Sequence, residues 1–278
     1  MKKIFSLAGL SVLTACTAPN VGGSGPPPTA NGIPAVLAKN LNAAGYVKGA
    51  NTVTIEMQAL DASPFVATYT RNLAFDVPGY EAYDIKETAL QRHFVGLFAT
   101  SGSGSLTAGA VTDGGQFNRF FNGATYARIA TYTQPTAGLA SYAAKYGGLI
   151  TNNGGTAGDP PIRVTGDVLI NADFTNGQVN GAVINRVDMD GFGLTLVDLA
   201  LPATAIAADG TFLGSVEYVG KPNVTAGDFG GLFGGVNASD IAGVLIFHPI
   251  NYDTKITETG LFVAPCVTNL SGTGVPCP

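Results

Sequence analysis

The sequence predicts an all-β protein in which a small antiparallel barrel of about eight strands follows a second β-rich domain. Asn-Gly and Asp-Gly dipeptides recur between segments rich in Val, Ile, Phe, Tyr and Thr, and they favour the type I′ turns of antiparallel hairpins. Apolar spacing compatible with a short helix occurs at one place, residues 33–45. The dipeptides are Asp113-Gly114, Asn122-Gly123, Asn176-Gly177, Asp190-Gly191 and Asp209-Gly210.

Two of these turns have flanks that are typical of hairpins. Residues 168–174 and 178–187 surround Asn176-Gly177, and residues 203–207 and 211–219 surround Asp209-Gly210. A meander built from many such strands must close on itself or be sandwiched, because its edges would otherwise stay exposed.

The strand pattern divides the body into two parts. Residues 33–133 are irregular and contain a Gly/Ser-rich loop at 101–105, whereas residues 134–264 hold evenly spaced strands. Eight or nine strands, as counted there, are enough for a small closed barrel. The sequence leaves open whether the barrel is filled or hollow. Residues 265–278 are expected to form a C-terminal tail.

The first fifteen residues have the features of a lipoprotein signal peptide. Lys2 and Lys3 precede an apolar run at 4–12 that is too short to span a bilayer. Leu13-Thr14-Ala15-Cys16 then matches a lipobox, in which cleavage occurs just before a cysteine that carries lipid. Stable anchoring takes two or more acyl chains, as bacterial lipoproteins have. We therefore expect Cys16 to be lipidated; an ordinary cleaved signal peptide is the alternative.

Residues 16–32 are expected to form a tether. They are uncharged and rich in Gly, Pro, Ser and Asn, so they bury too little apolar area to fold. A flexible Gly-Ser stretch followed by Pro26-Pro27-Pro28 is typical of a linker with a stiffer spacer. Thr17, not Asp, follows Cys16. In many Gram-negative bacteria the absence of Asp at this position favours release of a lipoprotein to the outer membrane.

Charge excludes one class of partner. Without Lys2 and Lys3 the chain has 12 Lys and Arg against 19 acidic residues, a net charge of −7. Such an acidic body is not suited to binding nucleic acid.

Two cysteines remain beside Cys16, and both lie in the last fifteen residues, after the expected final strand. An exported protein is in an oxidising environment, so we expect a Cys266–Cys277 disulfide that pins the tail. Neither histidine lies at ligand spacing to a cysteine, and we expect no metal site.

Three segments resemble a known family. Residues 134–148 (QPTAGLASYAAKYGG) look like the first barrel strand of the transferrin-binding-protein-B-like β-barrel lipoproteins, and residues 173–183 (DFTNGQVNGAV) are similar to a hairpin of that family. Residues 228–247 resemble its strand–turn–strand segment, with departures at Asp240, usually Glu, and Ala242, often Gly. The matching positions of that segment are Gly231, Phe233, Gly234, Ala238, Gly243 and Phe247.

The resemblance covers residues 134–264, about half of the chain. It implies a single lobe in which a handle domain, here 33–133, precedes a barrel on a Gram-negative surface lipoprotein. The position of the handle is assigned by order along the chain rather than by a motif.

Motifs of catalysis are missing from the sequence. No Gly-x-Ser-x-Gly elbow and no Gly-Lys-Ser/Thr phosphate loop occurs, and His93 and His248 have no triad pattern around them. Scattered carboxylates leave a hydrolase possible only if two of them face each other across a cleft. We expect a protein that is not an enzyme.

Aromatic residues are the better binding candidates. Tyr126 and Tyr132 belong to an aromatic cluster before the barrel, and His248 follows a strand where it can be partly exposed. Core packing is the alternative role for the tyrosines. Some relatives of the barrel family bind haem, so His93 and His248 are haem-ligand candidates beside a structural role, although we expect no cofactor.

The sequence thus predicts a monomeric lipoprotein, held at the outer membrane or cell surface by its lipid anchor. Its expected role is to bind a protein or a small solute without catalysis. A structural envelope lipoprotein without a ligand, or a haem-binding surface lipoprotein, is the alternative.

Overall fold

The computed structural model describes residues 29–30, 32–58, 64–86, 91–116, 119–152, 158–249, 256–267 and 277. The predicted signal peptide, Cys16 and most of the predicted tether lie outside these residues. Within the described ranges, no helix is both long and apolar enough to cross a membrane.

The N-terminal half is an eight-stranded sheet in which each strand pairs antiparallel with the next strand along the chain. A short helix, α1 (Ala35–Ala38), lies between its first two strands, and a 3-10 helix spans Leu73–Phe75. The strands are β1 (Thr29–Ala30), β2 (Leu41–Gly45), β3 (Thr52–Gln58), β4 (Pro64–Arg71), β5 (Glu81–Ile85), β6 (Phe94–Thr100), β7 (Leu106–Asp113) and β8 (Asn122–Arg128).

This sheet curls until its second and last strands almost meet. The Asn40 amide donates to the Asn122 carbonyl at 2.9 Å, just before β2 and at the start of β8. A Cβ on Gly123 would lie 2.2 Å from the Ala38 carbonyl oxygen, so only glycine permits this approach. The sheet is therefore nearly closed at one end of β8.

The C-terminal half is a closed eight-stranded antiparallel barrel, which confirms the predicted fold class. The last strand pairs with the first, with Phe262 opposite Tyr146. A 3-10 helix at Val236–Ala238 joins two of the strands. The strands are β9 (Leu139–Asn152), β10 (Ile162–Asp173), β11 (Gln178–Asp188), β12 (Leu199–Ala205), β13 (Thr211–Tyr218), β14 (Thr225–Gly234), β15 (Asp240–Phe247) and β16 (Ile256–Val267).

Both predicted hairpins are present. Strands β10 and β11 pair up to Asp173 and Gln178, on either side of Asn176-Gly177. Strands β12 and β13 flank Asp209-Gly210, where Gly210 has φ +79°.

One local prediction was wrong, and another was right only in part. Asn122-Gly123 is part of β8 rather than a turn, because its glycine serves the close approach of α1 and β2. Of the predicted helix at 33–45, only four residues are helical. The second part of this segment is β2, which has the alternating burial of a strand and pairs with β3.

Aromatic side chains fill the barrel. Phe233 is fully buried, and its ring centroid lies 5.2 Å from that of Phe174 and 5.6 Å from those of Tyr142 and Phe212. Buried aliphatic residues from all eight strands complete this core. The described barrel interior is therefore packed rather than hollow, as expected for eight strands.

A second apolar layer joins the two halves. Leu97, Leu106 and Ala124 of the sheet pack in one cluster with Leu149 and Leu261 on the outer face of the barrel. A third cluster, around Phe98, Tyr69 and Ile55, fills the inside of the curled sheet. Neither half buries its apolar surface alone.

A carboxylate ties the predicted Gly/Ser-rich loop to the barrel. Asp240 is buried, and its Oδ2 accepts hydrogen bonds from the hydroxyls of Ser103 (2.6 Å), Ser105 (3.0 Å) and Ser239 (2.9 Å). Asp240 is the position at which the sequence departs from the Glu of the resembling family. In this structure Asp240 connects the barrel to the sheet.

The structure joins Cys266 and Cys277 by a disulfide, with their Cα atoms 5.8 Å apart. Cys266 lies in β16 itself, because this strand continues to Val267, and the residues between Val267 and Cys277 are outside the described part.

Candidate functional site

The main candidate site is a groove where β2 and β8 move apart. These strands are close at Asn40 and Asn122, and the gap between them widens towards Gly45 and Arg128. The opening forms a cavity of about 800 Å³. We call it the seam groove and define it by Ile33, Gly45, Tyr46, Phe98, Tyr126 and Arg128.

Stacked aromatic rings form one wall of the seam groove. The Tyr46 ring stacks on Phe98 with a centroid distance of 5.1 Å and an interplanar angle of 20°. The hydroxyls of Tyr46 and Tyr83 each donate to Glu81 Oε2 at 3.0 Å. Burial and the Glu81 carboxylate raise the pKa of Tyr46, so this hydroxyl stays protonated and keeps donating.

Tyr126, a residue of β8, lines the opposite wall of the seam groove. Its side chain is mostly buried at the junction of sheet and barrel, and burial raises its pKa to about 12. The two walls therefore present phenol rings that remain neutral at physiological pH. Neutral aromatic rings offer a ligand apolar contact area and a hydroxyl for a hydrogen bond.

The rim of the groove is apolar and exposed. Val47 is 53% exposed and Ile129 is 58% exposed, and each lies on one side of the opening. These two side chains add exposed apolar surface at the mouth of the cavity.

Arg128, which lines the groove, contacts Tyr132 and the barrel. Its guanidinium lies 4.2 Å from the centroid of the Tyr132 ring and donates to the carbonyls of Phe233 (2.7 Å) and Asp209 (2.8 Å) in the barrel. Tyr132 is half-buried against the barrel core and does not line the groove. The structure thus places Tyr126 on the groove and Tyr132 behind it.

The histidines are elsewhere. His248 follows β15, its Nδ1 lies 3.0 Å from the Ile256 carbonyl, and it lines a smaller cavity of about 390 Å³ at the Asn122 end of β8. His93 Nε2 lies 2.7 Å from Asp84 Oδ2 in the sheet. Each histidine has its own partner, and His248 is not part of the seam groove.

A polar cluster closes the barrel interior to ligands. Arg186 pairs with Glu258, both fully buried, and the Tyr146 hydroxyl donates to Glu258 Oε1 at 2.7 Å. Burial raises the pKa of the Glu258 carboxyl, whereas the Arg186 charge and the hydrogen bonds from Arg186 and Tyr146 act to lower it. Arg186 Nε has no hydrogen-bond partner among the described residues. These side chains, with the aromatic core, occupy the space that a small solute would need.

The described residues contain no group of three or more His, Cys, Asp or Glu that could hold a metal ion. Sequence reasoning found Tyr126 through its aromatic neighbours but missed Tyr46 and Phe98. Tyr46 follows directly on the segment predicted to be helical, and its stacking on Phe98 bridges 52 positions of chain.

These features define a two-part β lobe, in which a nearly closed sheet packs on a closed, filled barrel. No family model matches the chain, and no curated protein matches its sequence.

Solved structures of transferrin-binding protein B are similar to this chain, in agreement with the resemblance noted in its sequence. The protein from Haemophilus parasuis is 10% identical with a TM-score of 0.43, over 81% of this chain and 54% of that chain. The isotype 1 protein from Neisseria meningitidis serogroup B is 13% identical with a TM-score of 0.38, over 82% and 52%. This chain spans about half the length of these proteins.

A shorter protein is similar as well. HpuA from Kingella denitrificans, solved in complex with human haemoglobin, is 11% identical with a TM-score of 0.39. The match covers 81% of this chain and 86% of that chain.

Proposed function

We propose that this chain is a lipoprotein of the outer membrane or cell surface, anchored through Cys16, that binds a partner protein in the seam groove without catalysis. The anchor is supported by the charged start, the short apolar run and the lipobox of residues 1–16.

The observation that carries the binding role is the contrast between the two interiors. The barrel is filled by aromatic rings and the Arg186–Glu258 pair, whereas the seam groove is an open cavity of about 800 Å³ between strand edges. Beyond the short pairing of β1 with Ala43 and Ala44, the edges of β2 and β8 fit an extended segment, which gains main-chain hydrogen bonds from these edges and side-chain contacts from the walls. The ligand is therefore an extended segment of a partner protein rather than a solute held inside the barrel.

Site-specific crosslinking on intact cells tests this binding role. A photo-crosslinking phenylalanine analogue replaces Ile129 on the rim, and a control chain carries it at Val66 on β4, since both positions are 58% exposed. Val66 does not line the groove. We expect a discrete adduct with a second protein at Ile129 and none at Val66, and Val47→Asp should remove it.

The same adducts at both positions, or none at Ile129, would contradict a binding groove and favour a structural envelope lipoprotein. The anchor is tested separately. Cys16→Ala should move the protein from the membrane fraction to the soluble fraction, and retention in the membrane would refute lipid anchoring at Cys16.

A further inference from the structure

The two sides of the seam groove carry the same short pattern, a tyrosine followed two residues later by a cation. On the side of β2 these are Tyr46 and Lys48, and on the side of β8 they are Tyr126 and Arg128. All four residues line the groove. Strands β2 and β8 both run from the closed end of the seam to its wide end, so each cation lies nearer the wide end than its tyrosine.

The charge of the groove is opposite to that of the chain as a whole. The chain has a formal net charge of −5, yet none of the described residues that line the groove is Asp or Glu. Two carboxylates close to the groove already have partners. Glu81 Oε2 accepts from the hydroxyls of Tyr46 and Tyr83, each at 3.0 Å. Asp209 Oδ1 accepts from the hydroxyl of Thr211 at 2.7 Å. The charged side chains that line the groove are therefore cationic.

Arg128 is held in place without a carboxylate partner. Its Nη2 donates to the carbonyls of Phe233 (2.7 Å) and Asp209 (2.8 Å), and its guanidinium lies over the Tyr132 ring. Its Nη1 donates to no described residue. Four other arginines of the described part each form an ion pair: Arg71 with Asp76, Arg92 with Asp113, Arg163 with Asp190 and Arg186 with Glu258. A guanidinium that is fixed before binding loses little side-chain entropy when it meets a carboxylate.

We propose that the partner segment bound in the seam groove carries an Asp or Glu side chain that pairs with Arg128 and an apolar side chain, two positions away, that packs on Tyr126. This inference rests on the binding function proposed above and names the chemistry of its ligand. Strand β8 is the last of its sheet, and side chains two apart on an extended segment share one face. A segment along β8 therefore matches the spacing of Tyr126 and Arg128. The net negative charge of the chain opposes a polyanion, so a short segment with one or two carboxylates is the better fit.

Lys48 has a different expected role from Arg128. It is exposed and forms no ion pair with any described residue. An exposed charge attracts an opposite charge from a distance but adds little to the stability of the contact. We therefore expect Lys48 to affect the association rate and Arg128 to affect the choice of ligand.

Selection of random peptides displayed on phage, against the immobilised full chain with Cys16→Ala, tests the pairing. The recovered peptides should carry Asp or Glu two positions from an apolar residue. A selected peptide and its amide form, with Asn for Asp or Gln for Glu, are then compared by their dissociation constants. The amide form should bind roughly tenfold more weakly, because it loses a hydrogen-bonded charge pair. This comparison requires no change near the groove, so it does not depend on the folding of a variant.

Variants of the protein locate the contact. Arg128→Gln should abolish the difference between the acidic peptide and its amide form, because both changes remove the same interaction. Arg119→Gln is the matched control and should keep the difference, since Arg119 does not line the groove. Lys48→Gln should slow association at low salt and leave the dissociation rate nearly unchanged. Peptides without an acidic bias, recovery of no peptide, or an acid–amide difference that persists in Arg128→Gln would each overturn the proposal.

This test and the crosslinking on cells can fail separately. An adduct at Ile129 together with peptides that lack the acid would leave the binding function standing and remove the acidic ligand. No adduct at Ile129, together with an acidic peptide that depends on Arg128, would refute the function on cells and leave the acidic preference of the groove.

Discussion

The two halves of this chain are built in the same way but end differently. Each is an eight-stranded antiparallel meander, yet the barrel closes by pairing β16 with β9, while the sheet stops short between β2 and β8. The barrel places Phe233 and its neighbours in a filled interior. The sheet leaves an aromatic groove at its unclosed seam.

The difference shows how strand pairing decides where a ligand has access. A closed small barrel has no free edges, and its interior is occupied by its own side chains. In the sheet, β2 and β8 do not pair, and this leaves strand edges beside a cavity. The barrel interior is therefore filled, and the accessible cavity lies at the seam.

The largest effect is expected inside the barrel. Glu258→Ala should lower the free energy of unfolding by about 3–5 kcal/mol, because it leaves the Arg186 charge buried and unpaired. Asp167→Ala, which breaks the exposed Lys145–Asp167 pair (2.6 Å), should cost less than about 1 kcal/mol. Urea titration of both variants measures this. Equal losses would mean that the barrel interior is hydrated rather than packed.

The second-largest loss of stability is expected from a change at the junction between the halves. Asp240→Ala removes the acceptor of three hydroxyl groups and should cost about 2–3 kcal/mol, since hydrogen bonds to a charged group are strong and one of the donors, Ser105, is buried. Asp240→Asn keeps one acceptor oxygen and should lose less. Thermal unfolding of the two variants provides the comparison, and an unchanged Asp240→Ala protein would contradict the junction role.

The closed end of the seam is tested by Gly123→Ala. The added Cβ would meet the Ala38 carbonyl oxygen at 2.2 Å and Leu41 Cβ at 2.5 Å, so β2 must shift, at a cost of about 1–2 kcal/mol. Gly102→Ala is the control, because a Cβ there meets nothing within 4 Å. Denaturant midpoints should separate the two variants. If both variants unfold alike, the approach of β2 to β8 is not tight.

The smallest effect is expected at a barrel turn. Asp209 Oδ1 accepts from the amide (3.0 Å) and hydroxyl (2.7 Å) of Thr211, and these bonds lower its pKa. Asp209→Ala should cost about 0.5–1 kcal/mol at neutral pH. A carboxylate with a lowered folded-state pKa stabilises above its unfolded pKa, and this is lost as the pH falls through the folded value. Urea titration of wild type and variant at pH 7 and at pH 2 should show the difference disappear; a difference that persists would rule out the carboxylate as its source.

Local features of the fold could be predicted from the sequence, and long-range features could not. Asn176-Gly177 and Asp209-Gly210 identified their hairpins because turn geometry is encoded within a few residues. The wrong interpretation of Asn122-Gly123 has a long-range cause, since its glycine accommodates Ala38, far away along the chain. The seam likewise depends on how β2 meets β8, which no local pattern records.

The candidate site likewise contains one residue that the sequence identified and others that come together only in the fold. Tyr126 belongs to a visible aromatic cluster, and the sequence identified it. Tyr46 and Phe98 become a wall only when their strands come together, and Arg186 and Glu258 are 72 residues apart. Alternation along a strand shows which residues share a face but not which distant strand they meet.

The apolar layer between sheet and barrel has a consequence for folding. Leu97 and Leu106 of one half are buried by Leu149 and Leu261 of the other, so separating the halves would expose both sides to water. The two halves should therefore unfold together in a single calorimetric transition, and either half produced alone should self-associate. The seam and the barrel thus belong to one cooperative unit, so a ligand that bound in the groove, as proposed, would raise the melting temperature of the barrel.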